Sequence, residues 1–242
     1  MSSAIKLYSQ VAGTGVPVVI TTGLGDTSQS WRPLWEAVCS KSRALIWDLR
    51  GHGESESTDL ASDYQARWAR LDLLRMIDLA GGSESNPAVL IGHSLGGNLA
   101  MAAAISHPHL VKALVLISTG PGFQAADARA AWNRSLDSFV LPPSVHPLAR
   151  RLGELTDSMV IDGLRSIQRP TLLLVGSKDA RFIPAQDFLA GAIRGARSTV
   201  VSGAGHAVHR SHASELRTSI LAFLETAGIL SPPALLDLAA PT

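Results

Sequence analysis

A serine flanked by glycines stands directly after a short apolar run. The run Ala88–Ile91 leads into Gly92-His93-Ser94-Leu95-Gly96-Gly97, and a helical pattern follows at once. A G-x-S-x-G sequence at a strand-to-helix turn is typical of a nucleophilic serine, because the sharp turn exposes the hydroxyl and leaves little room for neighbouring side chains. The amino terminus of the following helix favours developing negative charge. We therefore interpret Ser94 as a nucleophile, and we expect His93 to pack inside the turn.

A serine hydroxyl is a weak nucleophile unless a base takes its proton and a third group orients that base. Two later strand candidates lead into suitable groups. Asp179 follows the run Thr171–Val175, and His206 follows the run Ser198–Val201 through a glycine-rich turn. The carboxyl ends of parallel strands meet at one edge of a sheet. The sequence therefore predicts that His206 acts as general base and Asp179 as the acid that orients it towards Ser94.

Other titratable residues fit these two roles less well. The run Ala113–Ile117 is followed by Ser-Thr-Gly, and no acid occurs after it until Asp127. Asp127 therefore remains the alternative acid only if the chain folds back. Four other histidines are also less suitable. His209 and His212 are expected at the surface, and His107 and His109 on the far side of the sheet.

Acyl transfer from a carbonyl also requires donors for the oxyanion of the tetrahedral intermediate. The backbone N–H of Leu95, next after the nucleophile, is one candidate. The second is expected in the loop after an early strand, which here reads Thr22-Gly23-Leu24-Gly25. Glycines on both sides of Leu24 allow its amide to turn inward. The predicted oxyanion donors are therefore Leu24 and Leu95.

Short apolar runs alternate with helical patterns along most of the chain. This alternation is typical of an α/β fold in which helices cover both faces of a mostly parallel central sheet. The predicted strands are Ile5–Gln10, Val16–Thr21, Ala44–Trp47, Ala88–Ile91, Ala113–Ile117, Thr171–Val175 and Ser198–Val201. The predicted helices are Trp31–Ser40, Tyr64–Ala80, Leu95–Ser106, Ala185–Ile193 and Ala213–Thr226.

The stretch from residue 120 to residue 166 interrupts this alternation of strands and helices. It contains no convincing strand, and helical pieces are predicted at Ala125–Phe139 and Leu148–Leu155. A long insertion between core strands commonly serves as a lid or binding segment, and this one is too apolar for a floppy surface loop. We expect a small helical cap at 120–166 on a core formed by 1–119 and 167–242. Its predicted pocket walls are Trp132, Phe139 and Leu141.

The composition excludes several classes of protein. Of the 242 residues 46% are hydrophobic, which argues against intrinsic disorder. The chain has 21 basic and 20 acidic residues and lacks the block of basic residues that binding to nucleic acid or membranes needs. The single cysteine, Cys39, can form neither an internal disulfide nor a multi-cysteine metal site. It is expected to be a small side chain on a helix that packs into the protein core. No apolar run suggests a signal peptide or a membrane span, so a cytoplasmic location is expected. The oligomeric state cannot be read from this pattern.

These motifs together resemble the α/β-hydrolase family. Besides the serine turn, the family's Asp-x-Arg-Gly-His-Gly-x-Ser turn occurs at 48–55, and the regions of Asp179 and His206 match its acid strand and histidine loop. Many members carry His-Gly where this chain has Thr22-Gly23, and the Thr-Gly-Leu-Gly version is similar to that of enol-lactonase-type members. The resemblance implies the α/β-hydrolase fold with a short cap.

The predicted function is that of a serine hydrolase that cleaves a small carboxylic ester or lactone through an acyl-enzyme. No metal or organic cofactor is required for that chemistry. Relatives with the same three residues also act as C–C-bond hydrolases, cofactor-free perhydrolases or menaquinone-pathway lyases, so these alternatives remain open. A non-catalytic ligand receptor is the alternative from another class, although the intact set of Ser94, Asp179 and His206 argues against it.

Overall fold

The computed structural model describes residues 5–230. Strands and helices alternate along this part of the chain, as predicted. The strands are β1 Ser9–Ala12, β2 Pro17–Thr21, β3 Arg43–Trp47, β4 Ala88–His93, β5 Val111–Ile117, β6 Thr171–Gly176 and β7 Arg197–Val201. The helices are α1 Ser28–Cys39, α2 Ala66–Leu79, α3 Leu95–Ser106, α4 Ala126–Ser135, α5 Met159–Gly163, α6 Ile183–Ala192, α7 Val208–Ser211 and α8 Ala213–Thr226. No helix in this range is long and apolar enough to cross a membrane.

The strands form one sheet in the order β1-β3-β2-β4-β5-β6-β7. All neighbours from β3 to β7 pair in parallel, and only β1 is antiparallel. The prediction of a mostly parallel central sheet is confirmed. This order places β4 and β5 at the centre, with β6 and β7 on one side. The carboxyl ends of β4, β6 and β7 therefore lie along one edge of the sheet.

Apolar side chains cover both faces of the sheet, which explains the nearly continuous apolar runs in its strands. Alternate residues of β2 belong to two separate core clusters, since Val19 packs in one and Val18 in the other. Helices α2, α3 and α6 contribute buried residues to the first cluster, and α1 and α8 contribute to the second. Cys39, the last residue of α1, is half-buried against the second cluster.

The first predicted strand is displaced in the structure. Residues 5–8 are not in a strand, and β1 begins at Ser9 and pairs antiparallel with β3. The backbone of the preceding segment bonds instead to side chains of a turn. Tyr8 N donates to Ser55 Oγ at 2.9 Å, and Lys6 N donates to Glu56 Oε2 at 2.9 Å. The apolar pattern did not reveal these partners because they come from a distant loop.

The insertion between β5 and β6 is helical, as expected. The piece predicted at Ala125–Phe139 consists of α4 and a single 3₁₀ turn, Leu136–Ser138. The piece predicted at Leu148–Leu155 is a 3₁₀ helix over Pro147–Gly153, and the short helix α5 was not predicted. The predicted helix Tyr64–Ala80 is divided into a 3₁₀ turn, Ala61–Tyr64, and α2. Residues 1–4 and 231–242, which the domain prediction assigned to the core, lie outside the described residues.

Candidate active site

Ser94 occupies a strained backbone position between β4 and α3. Its φ and ψ angles are 52° and −114°, a region that residues with a side chain rarely adopt. The flanking glycines make this turn possible. A Cβ on Gly92 would lie 2.4 Å from the carbonyl oxygen of Gly96, and a Cβ on Gly96 would lie 2.3 Å from that of Thr21. The G-x-S-x-G pattern therefore reflects the close approach of α3 to two strands.

His206 and Asp179 form a hydrogen-bonded pair beside this turn. His206 Nδ1 donates to Asp179 Oδ2 at 2.8 Å, which leaves Nε2 as the imidazole atom available to another group. Burial opposes ionisation of Asp179, but the hydrogen bond and the charge of His206 hold its pKa below the ordinary value. The ring of Phe182 stacks on the imidazole with the centroids 4.9 Å apart. Both contacts restrain the orientation of His206.

A cavity of about 580 Å³ connects these residues, since Ser94, His206 and Asp179 all line it. Among the described residues, no hydrogen bond joins the side chains of Ser94 and His206. Catalytic hydrogen bonds are often long in ligand-free sites and shorten when substrate binds. Most of the other lining residues are apolar and come from the cap and from the start of α6. The cavity therefore suits a small ligand with an apolar part.

The two predicted oxyanion residues, Leu24 and Leu95, line the same cavity. Within residues 5–230 neither backbone N–H donates a hydrogen bond, so both remain available to a ligand. Gly23 allows the first loop to approach the serine, because a Cβ there would lie 2.8 Å from His93 Nδ1 and 3.1 Å from Ser94 Cβ.

His52, within the turn at 48–55, holds the loop at 22–25, which we call the oxyanion loop after its predicted role. Its Nδ1 donates to the carbonyl oxygen of Arg50 at 3.1 Å, and its Nε2 accepts from the N–H of Gly25 at 3.0 Å. Burial lowers the pKa of His52, which keeps the ring neutral and suits one donor and one acceptor nitrogen. In the sequence this histidine stands out only as part of the family motif at 48–55, and that pattern predicts no role for it.

The rest of that turn is built on buried charges. The Arg50 guanidinium donates to both oxygens of Asp72, at 2.7 and 2.9 Å, and both side chains are almost completely buried. Asp48 accepts from the N–H of Ser28 at 2.6 Å. Gly53 has a φ of 52°, and a Cβ there would lie 2.3 Å from Asp48 Oδ2. The turn is thus a fixed support for the oxyanion loop.

A second group, which we call the Asp26 cluster, consists of the buried residues Asp26, Trp31 and His209 and the exposed Arg210. One carboxylate oxygen of Asp26 accepts from Trp31 Nε1 at 2.9 Å and lies 2.9 Å from His209 Nε2. The other accepts from Arg210 Nη2 at 2.7 Å. Burial opposes ionisation of Asp26, but the adjacent His209 and the hydrogen bonds from Ser30 and Arg210 hold its pKa far below the ordinary value. The cluster joins the oxyanion loop to the segment that follows His206.

The prediction that His209 lies at the surface is therefore wrong. Its residue is 5% exposed, and its ring stacks on Trp31 with the centroids 4.1 Å apart. The short helix α7, which the sequence did not predict, turns this side chain inward. His212 is half-buried and contacts Ser211.

His93 is buried in the turn, as expected. One of its ring nitrogens, Nε2, lies 3.0 Å from the carbonyl oxygen of His206. Burial, reinforced by the nearby His206 and His209, lowers the pKa of His93 to about 3, so the ring is neutral and Nε2–H donates to that carbonyl. His93 thereby ties the serine turn to the histidine loop.

Asp26, His93 and His209 have donor atoms within 4.8 Å of one another, a spacing that a metal ion could bridge. The Asp26 carboxylate already accepts from an indole, a hydroxyl and a guanidinium. A cation would have to compete with the adjacent positive charge of Arg210. The arrangement therefore fits a hydrogen-bonded cluster better than a metal centre.

The three residues predicted as pocket walls lie in different surroundings. Trp132 and Phe139 line the cavity, and Trp132 Nε1 donates to the carbonyl oxygen of Gly153 at 2.9 Å. Leu141 does not line this cavity; it packs against the first core cluster, beside the oxyanion loop. Asp127 is exposed in the first turn of α4 and bonds to the N–H of Ala128.

Residues 18–218 match the sequence model of the alpha/beta hydrolase family. The match extends over more than half of the chain, so this protein belongs to the alpha/beta hydrolase family. The resemblance that was based on the serine, acid and histidine motifs is confirmed.

Several curated relatives align with most of the chain. The polyketide synthase ThaQ of Burkholderia thailandensis is 29% identical over 88% of this chain, which spans 12% of the length of ThaQ. The protein named "Putative carbamate hydrolase RutD" of Pseudomonas savastanoi pv. phaseolicola is 26% identical over 86% of this chain and 93% of its own length. This chain spans 43% of a second protein of that name, from Azorhizobium caulinodans.

Solved structures share the fold over nearly the whole chain. A thermophilic esterase from Thermogutta terrifontis superposes with a TM-score of 0.80 at 22% identity, covering 92% of this chain and 94% of the esterase. The enol-lactonase from Burkholderia xenovorans LB400 superposes with a TM-score of 0.70 at 24% identity, covering 92% and 98%. The predicted similarity to enol-lactonase-type members is confirmed at the level of the fold.

Proposed function

We propose that this protein is a serine hydrolase that cleaves a small carboxylic ester or lactone through an acyl-enzyme. One observation carries the proposal. Ser94, held at a strained turn with a φ of 52°, lines the same cavity as His206, whose Nδ1 is already bonded to Asp179. A nucleophile, a base and the group that orients the base therefore converge on one space of suitable size.

In the first step His206 Nε2 accepts the proton of Ser94 Oγ while that oxygen attacks the carbonyl carbon. Asp179 holds the imidazole in the tautomer whose Nδ1 carries the proton, and it stabilises the imidazolium that forms. The negative charge on the carbonyl oxygen is bound by the N–H groups of Leu24 and Leu95. His206 then protonates the leaving alcohol, and the acyl group stays on Ser94.

Water completes the reaction by the same route. His206 takes a proton from a water molecule, whose oxygen attacks the acyl carbonyl, and the second tetrahedral intermediate uses the same two N–H groups. Collapse of that intermediate releases the carboxylic acid and returns the proton to Ser94. His52 and the Asp26 cluster keep the oxyanion loop in position throughout.

Covalent labelling with a fluorophosphonate tests the nucleophile directly. The wild-type protein should be labelled and Ser94→Ala should not, because the reagent requires an activated hydroxyl. Ser106→Ala is a matched control, since Ser106 is the last residue of α3, at the opposite end of that helix from Ser94 and outside the residues that line the cavity. Persistent labelling of Ser94→Ala, or its loss in Ser106→Ala alone, would refute the assignment.

Hydrolysis of a panel of short esters, lactones and carbamates tests the reaction class. We expect a burst of p-nitrophenol followed by steady turnover with short p-nitrophenyl esters, because an acyl-enzyme forms before it hydrolyses. A folded protein that binds these compounds without turning over any of them would instead be a ligand receptor. Carbamates belong in the panel because the relative from Pseudomonas savastanoi is named as a carbamate hydrolase.

A further inference from the structure

An arginine without an acidic partner stands among the apolar residues of the cavity. Arg181 lies two residues after Asp179, in the loop before α6, and lines the cavity. Its guanidinium carbon is 5.8 Å from the ring centroid of Trp132 and 5.6 Å from that of Phe139. The arginine is thus held between the acid loop and two aromatic residues of the cap.

The other charged residues of the cavity wall that lie outside the catalytic set already have partners. Arg70 donates to both oxygens of Asp157, at 2.9 and 3.1 Å, and Glu154 lies 3.2 Å from Arg151. Within the described part of the chain, Arg181 makes no ion pair and donates no hydrogen bond. Among the described residues of the cavity wall outside the Asp179–His206 pair, Arg181 is therefore the charged residue whose charge has no direct partner.

Contact with aromatic rings uses the face of a guanidinium and leaves the N–H groups at its edge free. Those N–H groups match the two oxygens of a carboxylate, which guanidinium binds in a bidentate manner. Arg181 is exposed at the cavity wall, so its edge is open to a ligand, and a cation that lines a cleft attracts anions into that cleft. These three properties describe a subsite for one end of a substrate.

We propose that Arg181 binds a carboxylate on the substrate, so that the preferred substrates are esters or lactones that carry a second, ionised carboxyl group. The apolar chain of such a substrate would lie against Trp132 and Phe139, with its reacting carbonyl at Ser94. This inference rests on the proposed function for the position of the reacting group, but its test includes a binding measurement that needs no turnover.

The test uses two esters of equal length and shape. One is the p-nitrophenyl monoester of pimelic acid, and the other is a neutral analogue in which an isopropyl group replaces the terminal carboxylate. Binding of both is measured to Ser94→Ala protein, with and without the additional change Arg181→Gln. Steady-state hydrolysis of both is measured with Ser94 intact.

Arg181→Gln should weaken binding of the anionic ester about tenfold, the loss of one charge-assisted contact, and alter binding of the neutral ester less than twofold. Arg181→Lys should retain part of the preference, because it keeps the charge but loses the planar fork. Arg194→Gln, an exposed change outside the cavity, should leave both affinities unchanged. The preference should also decrease when NaCl is raised from about 0.05 to about 0.5 M.

Equal losses for both esters would show that Arg181 only fastens the cap, and no loss for either would show that it does not contact the ligand; each result overturns the proposal. The experiment can refute the proposed subsite and the proposed function independently of each other. Binding that prefers the anionic ester without any hydrolysis would support the subsite and contradict the enzyme, whereas hydrolysis without that preference would do the opposite.

Discussion

At the scale of single residues, the site depends on which nitrogen of each histidine carries a proton. His206 Nδ1 donates to Asp179, His52 Nδ1 donates to a backbone carbonyl, and His93 Nε2 donates to the carbonyl of His206. Burial keeps His52 and His93 neutral, so neither competes for the proton of Ser94. Among the histidines of residues 5–230, His206 is the one that lines the cavity, and its Nε2 is left for a ligand.

Asp179→Asn should lower kcat for a short ester by a factor on the order of 10⁴, because the amide favours the wrong imidazole tautomer and cannot stabilise the imidazolium. Asp127→Asn is the comparison, since Asp127 is exposed in α4 and contacts only its own helix terminus. It should retain nearly full activity. Near-normal kcat in the first variant with collapse in the second would reverse the assignment of the acid.

At the scale of elements, the strand-to-helix turn works because glycine lets α3 press against β2 and β4. Gly96→Ala would place a methyl group 2.3 Å from the carbonyl oxygen of Thr21, and backbone on both sides cannot move away easily. We expect this change to lower the free energy of unfolding by about 3 kcal/mol. Denaturant titration with circular dichroism measures the difference.

Gly191→Ala is the matched control for that prediction. Gly191 lies in α6 with no atom within 4 Å of an added Cβ. Alanine there should raise the free energy of unfolding by about 0.5 kcal/mol, because it lowers the entropy of the unfolded chain. Equal effects of the two substitutions would mean that the turn does not depend on close contact.

The cap should determine substrate preference more than catalytic rate. Trp132 lines the cavity, so Trp132→Ala should change kcat/KM unequally for short and bulky esters. Trp68→Ala removes an indole that does not line the cavity and should affect all esters alike. A uniform loss across the panel in Trp132→Ala would indicate a packing defect instead of a lost pocket wall.

At the scale of the whole molecule, hydrogen-bonded carboxylates make the free energy of unfolding depend on pH in the acid range. Hydrogen bonds and nearby positive charge hold the pKa values of Asp26, Asp157 and Asp179 below the ordinary value. A carboxyl group whose pKa is lower in the folded state stabilises the fold above its unfolded pKa. That contribution is lost as the pH falls. The buried neutral histidines His52 and His93 act in the same direction from about pH 6.5 downward, because their pKa values are lowered in the folded state. The free energy of unfolding should therefore decrease as the pH drops below about 6.5, and more steeply below about 4.

Asp26→Asn isolates the largest of these contributions. At neutral pH the variant should be less stable by about 2 kcal/mol, since it replaces hydrogen bonds to a buried charge by weaker ones. The difference from wild type should shrink as the pH falls below about 4, because Asp26 then binds a proton in the unfolded wild-type chain while it stays ionised in the folded state, which lowers the stability of the wild type towards that of the variant. A stability difference that does not vary with pH would show that the charge of Asp26 does not stabilise the fold.

Local features of the chain were sufficient to predict the fold and the positions of Ser94, Asp179 and His206. Periodicity and turn glycines act over a few residues, and parallel strands bring their carboxyl ends to one edge whatever the details of packing. Local patterns could not predict where β1 begins, because the preceding residues bond to the side chains of Ser55 and Glu56, about 50 residues further along the chain.

Only the tertiary structure showed which residues pack against the site and which charged residues line its cavity. His209 was expected at the surface, but α7 turns it onto Trp31 and Asp26. No sequence pattern predicted a binding role for Arg181, which became a candidate only because the fold places it beside two aromatic rings of another segment. Contacts of this kind join residues far apart in the chain, so they depend on how the elements pack and leave no pattern in the sequence.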